Sequence, residues 1–324
     1  MNKKLLSIVA PAYNEEDSIA EFNNRLIRVL EKMDCRYEII YINDGSTDDT
    51  FSCLKKILTS HNGIRIVDLS RNFGKEIAMS AGLDHASGDA VVVIDTDLQD
   101  PPEVIHQLYD EWQCGFDVVY AQRATRDGES YLKKSTAKAF YKIMGKVGGV
   151  EIPRDTGDFR LLSRRAVDAL GKLREQHRFM KGLFAWIGFR QKAVIYNRDS
   201  RFAGRTKWNY WKLWNFAIEG FTSFTIAPLK IFSYVGLCIS LLSFLYASFI
   251  IYKTLVFGEP VRGYPSLMVV ILFLGGVQLV GIGIIGEYLG RMFDETKQRP
   301  LYFVNNCLGF ENDIQGWEKT DGGE

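Results

Sequence analysis

Two stretches of this chain, Ile231–Tyr252 and Gly263–Gly286, contain no Asp, Glu, Lys or Arg. No other feature restricts the fold as strongly. As helices rising 1.5 Å per residue they would span about 33–36 Å, enough to cross a hydrocarbon core of ~30 Å. A buried helical pair in a soluble protein is the competing reading, and two such windows in succession argue against it. The link between them, residues 253–262, is short, so both ends of the hairpin emerge on one side. Lys212, Lys230, Arg291, Lys297 and Arg299 flank that side, against Lys253 and Arg262 in the link. This bias places the bulk of the chain in the cytoplasm. The expectation is a multi-pass protein of the inner (plasma) membrane.

All 40 Lys+Arg and 39 Asp+Glu therefore fall on the remainder of the 324 residues. The net charge of +1 and the 47% hydrophobic content resemble a soluble average. They exclude a disordered, collagenous or disulfide-scaffold chain and give no support to nucleic-acid binding. Cys35, Cys53, Cys114, Cys238 and Cys307 are scattered and lack C-x-x-C spacing, which fits reduced thiols. His61, His85, His106 and His177 form no ligand pattern. Lys3-Lys4 followed by Leu5–Val9 imitates a short signal peptide. Its apolar run is minimal, however, and Pro11–Glu16 reads as a strand exit, so it is taken as the first strand.

Short Val- and Ile-rich runs alternate with helix-period segments through the first two-thirds of the chain. Strands are expected at Leu5–Ala12, Tyr37–Asn43, Ile64–Leu69, Ala90–Asp95 and Asp117–Ala121, with helices at Glu15–Met33, Asp48–Leu58, Lys75–Ala86 and Pro101–Trp112. Asp100 would cap the last helix and Pro101 would be its first residue. Such alternation implies a mainly parallel sheet covered on both faces, with ligands at the carboxyl ends of its strands. Polar clusters fall there: Asn14-Glu15, Asn43-Asp44-Gly45-Ser46 and Asp95-Thr96-Asp97.

Asp95 and Asp97 follow the apolar run Val91–Ile94, and residues two apart in extended chain share a side. Paired carboxylates there suit Mg²⁺ or Mn²⁺, which could stabilise a departing nucleotide diphosphate. The alternative is a solvated turn with capping aspartates. Asp44-Gly45 could form a hairpin turn. The following helical pattern instead suggests that Ser46 or Thr47 caps a helix, leaving Asp44 to accept from a base or ribose.

Arg71 and Lys75 before the third helix, and Arg123 ending the fifth strand, are cations that could meet phosphate. Thr156–Arg160 places Asp158 after a glycine in an expected loop, suited to a catalytic or positioning role on the acceptor side. Arg201, Arg205 and Lys207, around Gly204, could close over a diphosphate or lipid phosphate, or bind anionic headgroups. Trp208, Trp211 and Trp214 suit an interfacial belt before the first span. Lys134, Lys138, Lys142 and Lys146 recur beside Phe140, Tyr141 and Met144, as on a surface-lying amphipathic helix or a solvated lysine face. Gly276, Gly283 and Gly290 share a helix face that would allow close packing, within the hairpin or in a homo-oligomer.

Taken together, these motifs resemble glycosyltransferase family 2, and within it the polyprenyl-phosphate glycosyltransferases such as dolichol-phosphate mannose synthase and the bactoprenol glucosyltransferases. The resemblance covers about residues 5–305. It rests on residues 11–16 (Pro-Ala-Tyr-Asn-Glu-Glu), 43–46 (Asn-Asp-Gly-Ser), 71–76 (Arg-Asn-Phe-Gly-Lys-Glu), 95–102 (Asp-Thr-Asp-Leu-Gln-Asp-Pro-Pro), 156–160 (Thr-Gly-Asp-Phe-Arg), 178–182 (Arg-Phe-Met-Lys-Gly) and 205–208 (Arg-Thr-Lys-Trp). Some relatives carry Ser where this chain has Thr206, which keeps the hydroxyl.

The resemblance implies a GT-A fold, a Rossmann-like α/β nucleotide-sugar-binding domain followed by a two-helix transmembrane hairpin. It implies that Pro11, Tyr13, Glu15 and Asp44 contact the nucleoside, within a donor site completed by Lys75, Asp95, Thr96, Asp97 and Arg123. Asp97 and Gln99 would hold the metal, with Asp95 supporting. Arg201, Arg205 and Lys207 would meet the acceptor phosphate, and Asp158, Asp95, Arg201 and Lys207 form the expected catalytic set.

The implied reaction moves a sugar, with glucose from UDP-glucose as first choice, onto polyprenyl (undecaprenyl) phosphate with inversion. Its partners would be the nucleotide sugar, the polyprenyl phosphate and membrane lipids. The expected organisation is a cytoplasmic catalytic domain over residues 1–200, an acceptor loop and juxtamembrane segment over 201–230, a membrane hairpin over 231–290 and a cytoplasmic tail over 291–324. A processive polysaccharide synthase is the nearest alternative, but Gln176-His177-Arg178-Phe179 does not match its Q-x-x-R-W motif and only two spans are present. An inactive scaffold would not need Asp95, Asp97 and Gln99.

Overall fold

The computed structural model describes residues 3–124, 153, 156–197, 227–257 and 263–310. Arg201, Arg205, Lys207, the three juxtamembrane tryptophans and the lysine-rich helix expected near residue 140 lie outside the described residues. The chain divides into two units, residues 1–215 with 300–324, and residues 216–299.

The first unit is an eight-stranded sheet between helices. In chain order it contains β1 (Leu5–Ala12), α1 (Ile19–Leu30), β2 (Arg36–Asn43), α2 (Thr50–Ser60), β3 (Ile64–Leu69), α3 (Lys75–His85), β4 (Ala90–Val93), a 3₁₀ turn (Pro102–Val104) running into α4 (Ile105–Gln113), and β5 (Val118–Arg123). It continues with β6 (Thr156–Ser163), α5 (Arg164–Gly171), α6 (Met180–Trp186) and β7 (Gln191–Tyr196), and is completed after the second unit by β8 (Val304–Leu308). The spatial order is β7-β5-β6-β4-β1-β2-β3-β8. β1 pairs in parallel with both β2 and β4, and β2 with β3.

β6 runs antiparallel between β4 and β5. The expected loop around Asp158 is therefore a strand, buried along its whole length. The sheet is mixed rather than mainly parallel, because β6 and the far edge strand β8 both run against their neighbours.

The central strands read as continuous apolar runs because both faces are covered. Leu6, Ile8, Tyr41, Ile66 and Val92 pack in one core with Phe22 and Leu26 of α1, Leu54 of α2 and Leu108 of α4. On the opposite face α3 lies so close that a Cβ on Gly82 would overlap the side chains of Val9 and Ile42. Each fully buried aliphatic side chain contributes roughly 1.5–3 kcal/mol of transfer free energy, which makes β1, buried from Leu6 onward, the rigid centre of the sheet.

Two helix starts differ from expectation for one reason: the loops before them are spent on the strand ends. Asn14 is left-handed (φ 55°), and α1 begins at Ile19 instead of Glu15. Ser46 and Thr47 bond to Asn14, so α2 begins at Thr50, whose backbone N–H donates to the Asp48 carboxylate (3.0 Å). Pro101 precedes the 3₁₀ turn in extended conformation, and Asp100 is buried with Tyr196 instead of capping.

The second unit contains α7 (Ala227–Phe257) and α8 (Tyr264–Thr296). Both are long and apolar enough to cross a membrane. Their large apolar side chains are exposed, including Leu237 at 69%, Phe244 at 70% and Leu279 at 71%. Within the pair, the Phe232 ring packs where a Cβ on Gly281 would lie. Beyond their own helix backbone and chain neighbours, Gly276, Gly283 and Gly290 meet no atom of the described residues within 4 Å of a Cβ position, so the expected glycine stripe does not make this contact.

After α8, Leu301 is again buried and β8 (Val304–Leu308) adds to β3 in antiparallel. Part of the segment expected as a tail is thus the edge of the sheet.

Candidate active site

The chain runs β1-β2-β3 in one direction and then crosses back to place β4 on the other side of β1. In open α/β sheets, ligands bind outside the carboxyl ends of strands at such a reversal. The ends of β1 and β4 are tied there: the Ile94 N–H donates to Val9 O (3.0 Å), and the buried Thr96 hydroxyl donates to Pro11 O (3.2 Å). Thr96, expected at the donor, therefore uses its hydroxyl to fix the strand ends.

The exits of β1 and β2 are stitched together. Asn14 N–H donates to Ser46 Oγ (3.1 Å), Thr47 N–H donates to Asn14 Oδ1 (2.9 Å), and Glu15 N–H donates to Thr50 Oγ1 (2.8 Å). Asp44 is buried and accepts from the backbone N–H of Phe73 (2.8 Å) and of Gly74 (3.0 Å). It is thus already engaged, and each oxygen keeps a second lone pair with which to accept from the base or ribose expected there. Burial pushes its pKa up against those two hydrogen bonds. Gly45 is obligatory for this contact, since its φ is +61° and a Cβ would overlap the Arg71–Asn72 backbone. Tyr13, 39% exposed, stands at the rim of this loop cluster.

Beside it lies a cluster of charges. The Lys75 ammonium is 2.6 Å from carboxylate oxygens of both Asp95 and Asp158, residues brought together from α3, the end of β4 and β6. The Lys75 side chain is 44% exposed, so the cluster opens to solvent. The two carboxylates hold the lysine pKa above its ordinary value despite the loss of hydration. Burial pushes Asp95 up to about 6, opposed by Lys75. Asp158 goes the other way: burial would raise it, but Lys75 and Lys181 hold it well below the usual carboxylate range.

Neighbouring Glu76 is raised to about 7 by burial and by the Asp158 charge, and it accepts from Met180 N–H (3.0 Å). Burial lowers Arg160 to about 10. Its guanidinium lies 3.8 Å from the Phe184 ring centre and donates to Gly157 O (2.8 Å). Glu76 and Arg160 lie inside the quoted motifs, and their chemistry was the overlooked signal.

Among the described residues, no three His, Cys, Asp or Glu side chains are arranged to hold a metal. The donor set still fits a hard divalent ion. Mg²⁺ is commonly held by one or two carboxylates together with substrate phosphate oxygens. Asp97 sits on a tight turn at left-handed Leu98 (φ 58°), accepting from Gln99 N–H (3.1 Å). Asp158 Oδ1 is buried without a hydrogen-bond partner among the described residues, and a protein cation already bridges Asp95 and Asp158. Arg123, at the end of β5, bonds to Tyr196, whose hydroxyl donates to Asp100. This places the arginine beside Gly157 of β6. Arg71 is exposed and stacks on Phe73 at 4.2 Å.

A switch point in a mixed α/β sheet, lined by paired aspartates, a loop-bound carboxylate and several cations, has the form of the ligand crevice of an α/β enzyme. Residues 7–171 match the Glycosyl transferase family 2 model, and residues 227–292 match the GtrB C-terminal hairpin. A bactoprenol glucosyl transferase of Shigella phage SfV is 49% identical over 301 residues, covering 93% of this chain and 98% of that one. A prophage bactoprenol glucosyl transferase homolog of Escherichia coli (strain K12) is 47% identical, covering 92% and 98%. An uncharacterized glycosyltransferase of Synechocystis sp. is 57% identical over 306 residues, covering 94% and 96%. The chain belongs to glycosyltransferase family 2, and its sheet is the GT-A fold that the motifs implied.

Proposed function

We propose that this glycosyltransferase moves a sugar, with glucose from UDP-glucose as first choice, onto polyprenyl phosphate at the cytoplasmic face of the plasma membrane. The carrying observation is the Asp95–Lys75–Asp158 cluster beside the Asp44 loop, in a chain that also bears the GtrB-type apolar hairpin. The names of the phage and prophage relatives support the lipid acceptor and the glucosyl group.

In this account Tyr13, Glu15 and the Asp44 loop, with Pro11, receive the nucleoside. Asp97 and Gln99, supported by Asp95, would hold Mg²⁺ or Mn²⁺, which when bound neutralises the diphosphate as leaving group. Lys75 is already poised between carboxylates and can turn its ammonium to the incoming phosphates, while Arg123 approaches from β5.

A phosphate monoester has a second pKa of about 6, so the acceptor oxygen that attacks the anomeric carbon with inversion arrives largely anionic. Little proton transfer is then needed. A carboxyl held as low as Asp158 is a poor proton acceptor, which favours a positioning role: its charge orients Lys75, while its backbone carbonyl accepts from Arg160 Nε (3.3 Å). Arg201, Arg205 and Lys207 would draw the acceptor phosphate toward the donor, since joining two anions requires positive charge.

The test pairs the full-length protein with polyprenyl phosphate and a panel of nucleotide sugars, scored by product mass. A UDP-glucose-dependent glycolipid supports the assignment, and a product only from another donor corrects the sugar. Asp97→Ala is expected to reduce glycolipid formation about a hundredfold or more, the scale of losing one electrostatic transition-state contact. Undiminished formation would remove Asp97 from the metal site.

A further inference from the structure

The strand that follows the membrane hairpin reaches the nucleoside loop through a chain of hydrogen bonds. Asn305 and Asn306 both donate their side-chain amides to one oxygen of Asp68, at 3.0 and 3.2 Å. Successive strand residues ordinarily point to opposite faces. Here the β3–β8 ladder slips between Asp68, which faces Asn306, and Leu69, which faces Val304. Asn305 is the extra residue of a bulge, a device that re-aims a side chain.

The other oxygen of Asp68 accepts from the Asn43 amide at 2.7 Å, and both Asp68 and Asn43 are buried. Asn43 ends β2 immediately before Asp44. The Oδ1 of the same Asn43 side chain accepts from Ser46 N–H (3.4 Å), and Ser46 Oγ accepts from Asn14 N–H (3.1 Å). The path therefore runs without a break from the bulge on β8 to the loops around Asp44 and Tyr13.

The geometry points to Asp68, Asn305 and Asn306 as positioning residues for donor binding: the chain returning from the hairpin completes the outer support of the nucleoside loop. Three amide donors fix the rotamer of a buried carboxylate, which in turn fixes the Asn43 side chain and the turn that presents Asp44. None of the three touches the reacting atoms, so they act on donor affinity alone. This inference rests on the nucleoside assignment made above.

Asn305 and Asn306 are themselves exposed, so truncating them leaves the core of the sheet intact. The experiment uses the full-length protein with UDP-glucose and polyprenyl phosphate, determining the KM of each substrate and kcat separately. Asn305→Ala/Asn306→Ala is expected to raise the donor KM about tenfold, the scale of losing hydrogen bonds to a charged group. Acceptor KM and kcat should stay within about twofold, and calorimetry with UDP should show the same loss of affinity.

Tyr302→Phe is the control. It removes a bond from the same returning segment to Asp84 (2.9 Å), outside the relay, and should leave the donor KM unchanged. Restoring the amides one methylene longer, Asn305→Gln/Asn306→Gln, should recover part of the affinity. Tyr13→Ala probes the pocket itself. If Tyr13→Ala raises the donor KM and the double alanine variant does not, the relay is refuted while the pocket stands. If neither does, the nucleoside assignment fails and the relay with it.

Discussion

The sheet unit and the helical hairpin use the same apolar residues in opposite ways. Leu26, Ile8 and Val92 are fully buried, whereas Leu237, Leu241 and Leu279 are 69%, 59% and 71% exposed. In the first unit the chain supplies its own apolar surroundings. In the second it does not, and a continuous apolar surface of this size marks contact with something other than water. For helices of this length the suitable partner is a bilayer. The contrast would also explain why an enzyme with the proposed water-soluble donor carries a hairpin at all: the proposed acceptor is a lipid.

Side-chain truncation should break or sharpen that contrast most strongly. Leu26→Ala is expected to cost about 2–5 kcal/mol in the sheet unit, and Leu279→Ala close to nothing, in denaturant unfolding of the detergent-solubilised protein followed by tryptophan fluorescence. Equal losses would mean that Leu279 packs against protein. Next in size, Leu241→Lys near the middle of α7 should oppose insertion by about 2.5–3.5 kcal/mol. Alkaline extraction should then release more protein from membranes than it does for the unaltered chain. Full retention would argue that α7 is not surrounded by lipid.

Gly82→Ala tests the close approach of α3 to β1 and β2. Its methyl group overlaps Val9 and Ile42, and overpacking of this kind costs about 1–3 kcal/mol. A calorimetric melting temperature unchanged from wild type would show that α3 can withdraw at no cost.

The last test concerns pH. Glu76, facing Asp158, Lys75 and Lys181, has its pKa raised from 4.5 to about 7 in the folded chain. The folded state therefore binds a proton more tightly than the unfolded state. Its contribution is full below the unfolded value and declines as pH rises toward the folded one. Glu76→Gln should flatten the fall in stability between those values. A stability–pH curve parallel to wild type would place Glu76 in an ordinary solvated setting.

Legibility in the sequence followed burial. β1 to β5 and α1 to α4 announced themselves because strands covered on both faces are runs of Val, Ile and Leu, and the helices between them keep a period. β6 was hidden because Gly157, Asp158 and Arg160 look like loop chemistry. Only the fold shows that Phe159 and Leu161 join the core while Arg160 stacks on Phe184. β8, with Asn305 and Asn306, is polar because it lies at an edge. Asp95, Asp158 and Lys75 were each recognisable as chemistry-bearing residues, but their meeting at 2.6 Å depends on β6 lying beside β4, a pairing no local pattern encodes.

The most direct test incubates the purified full-length protein in lipid vesicles with UDP-glucose and polyprenyl phosphate and weighs the lipid product. The account predicts a polyprenyl phosphate heavier by one hexose residue, formed only when both substrates are present. Transfer to a water-soluble acceptor, or release of glucose with the lipid unchanged, would contradict it.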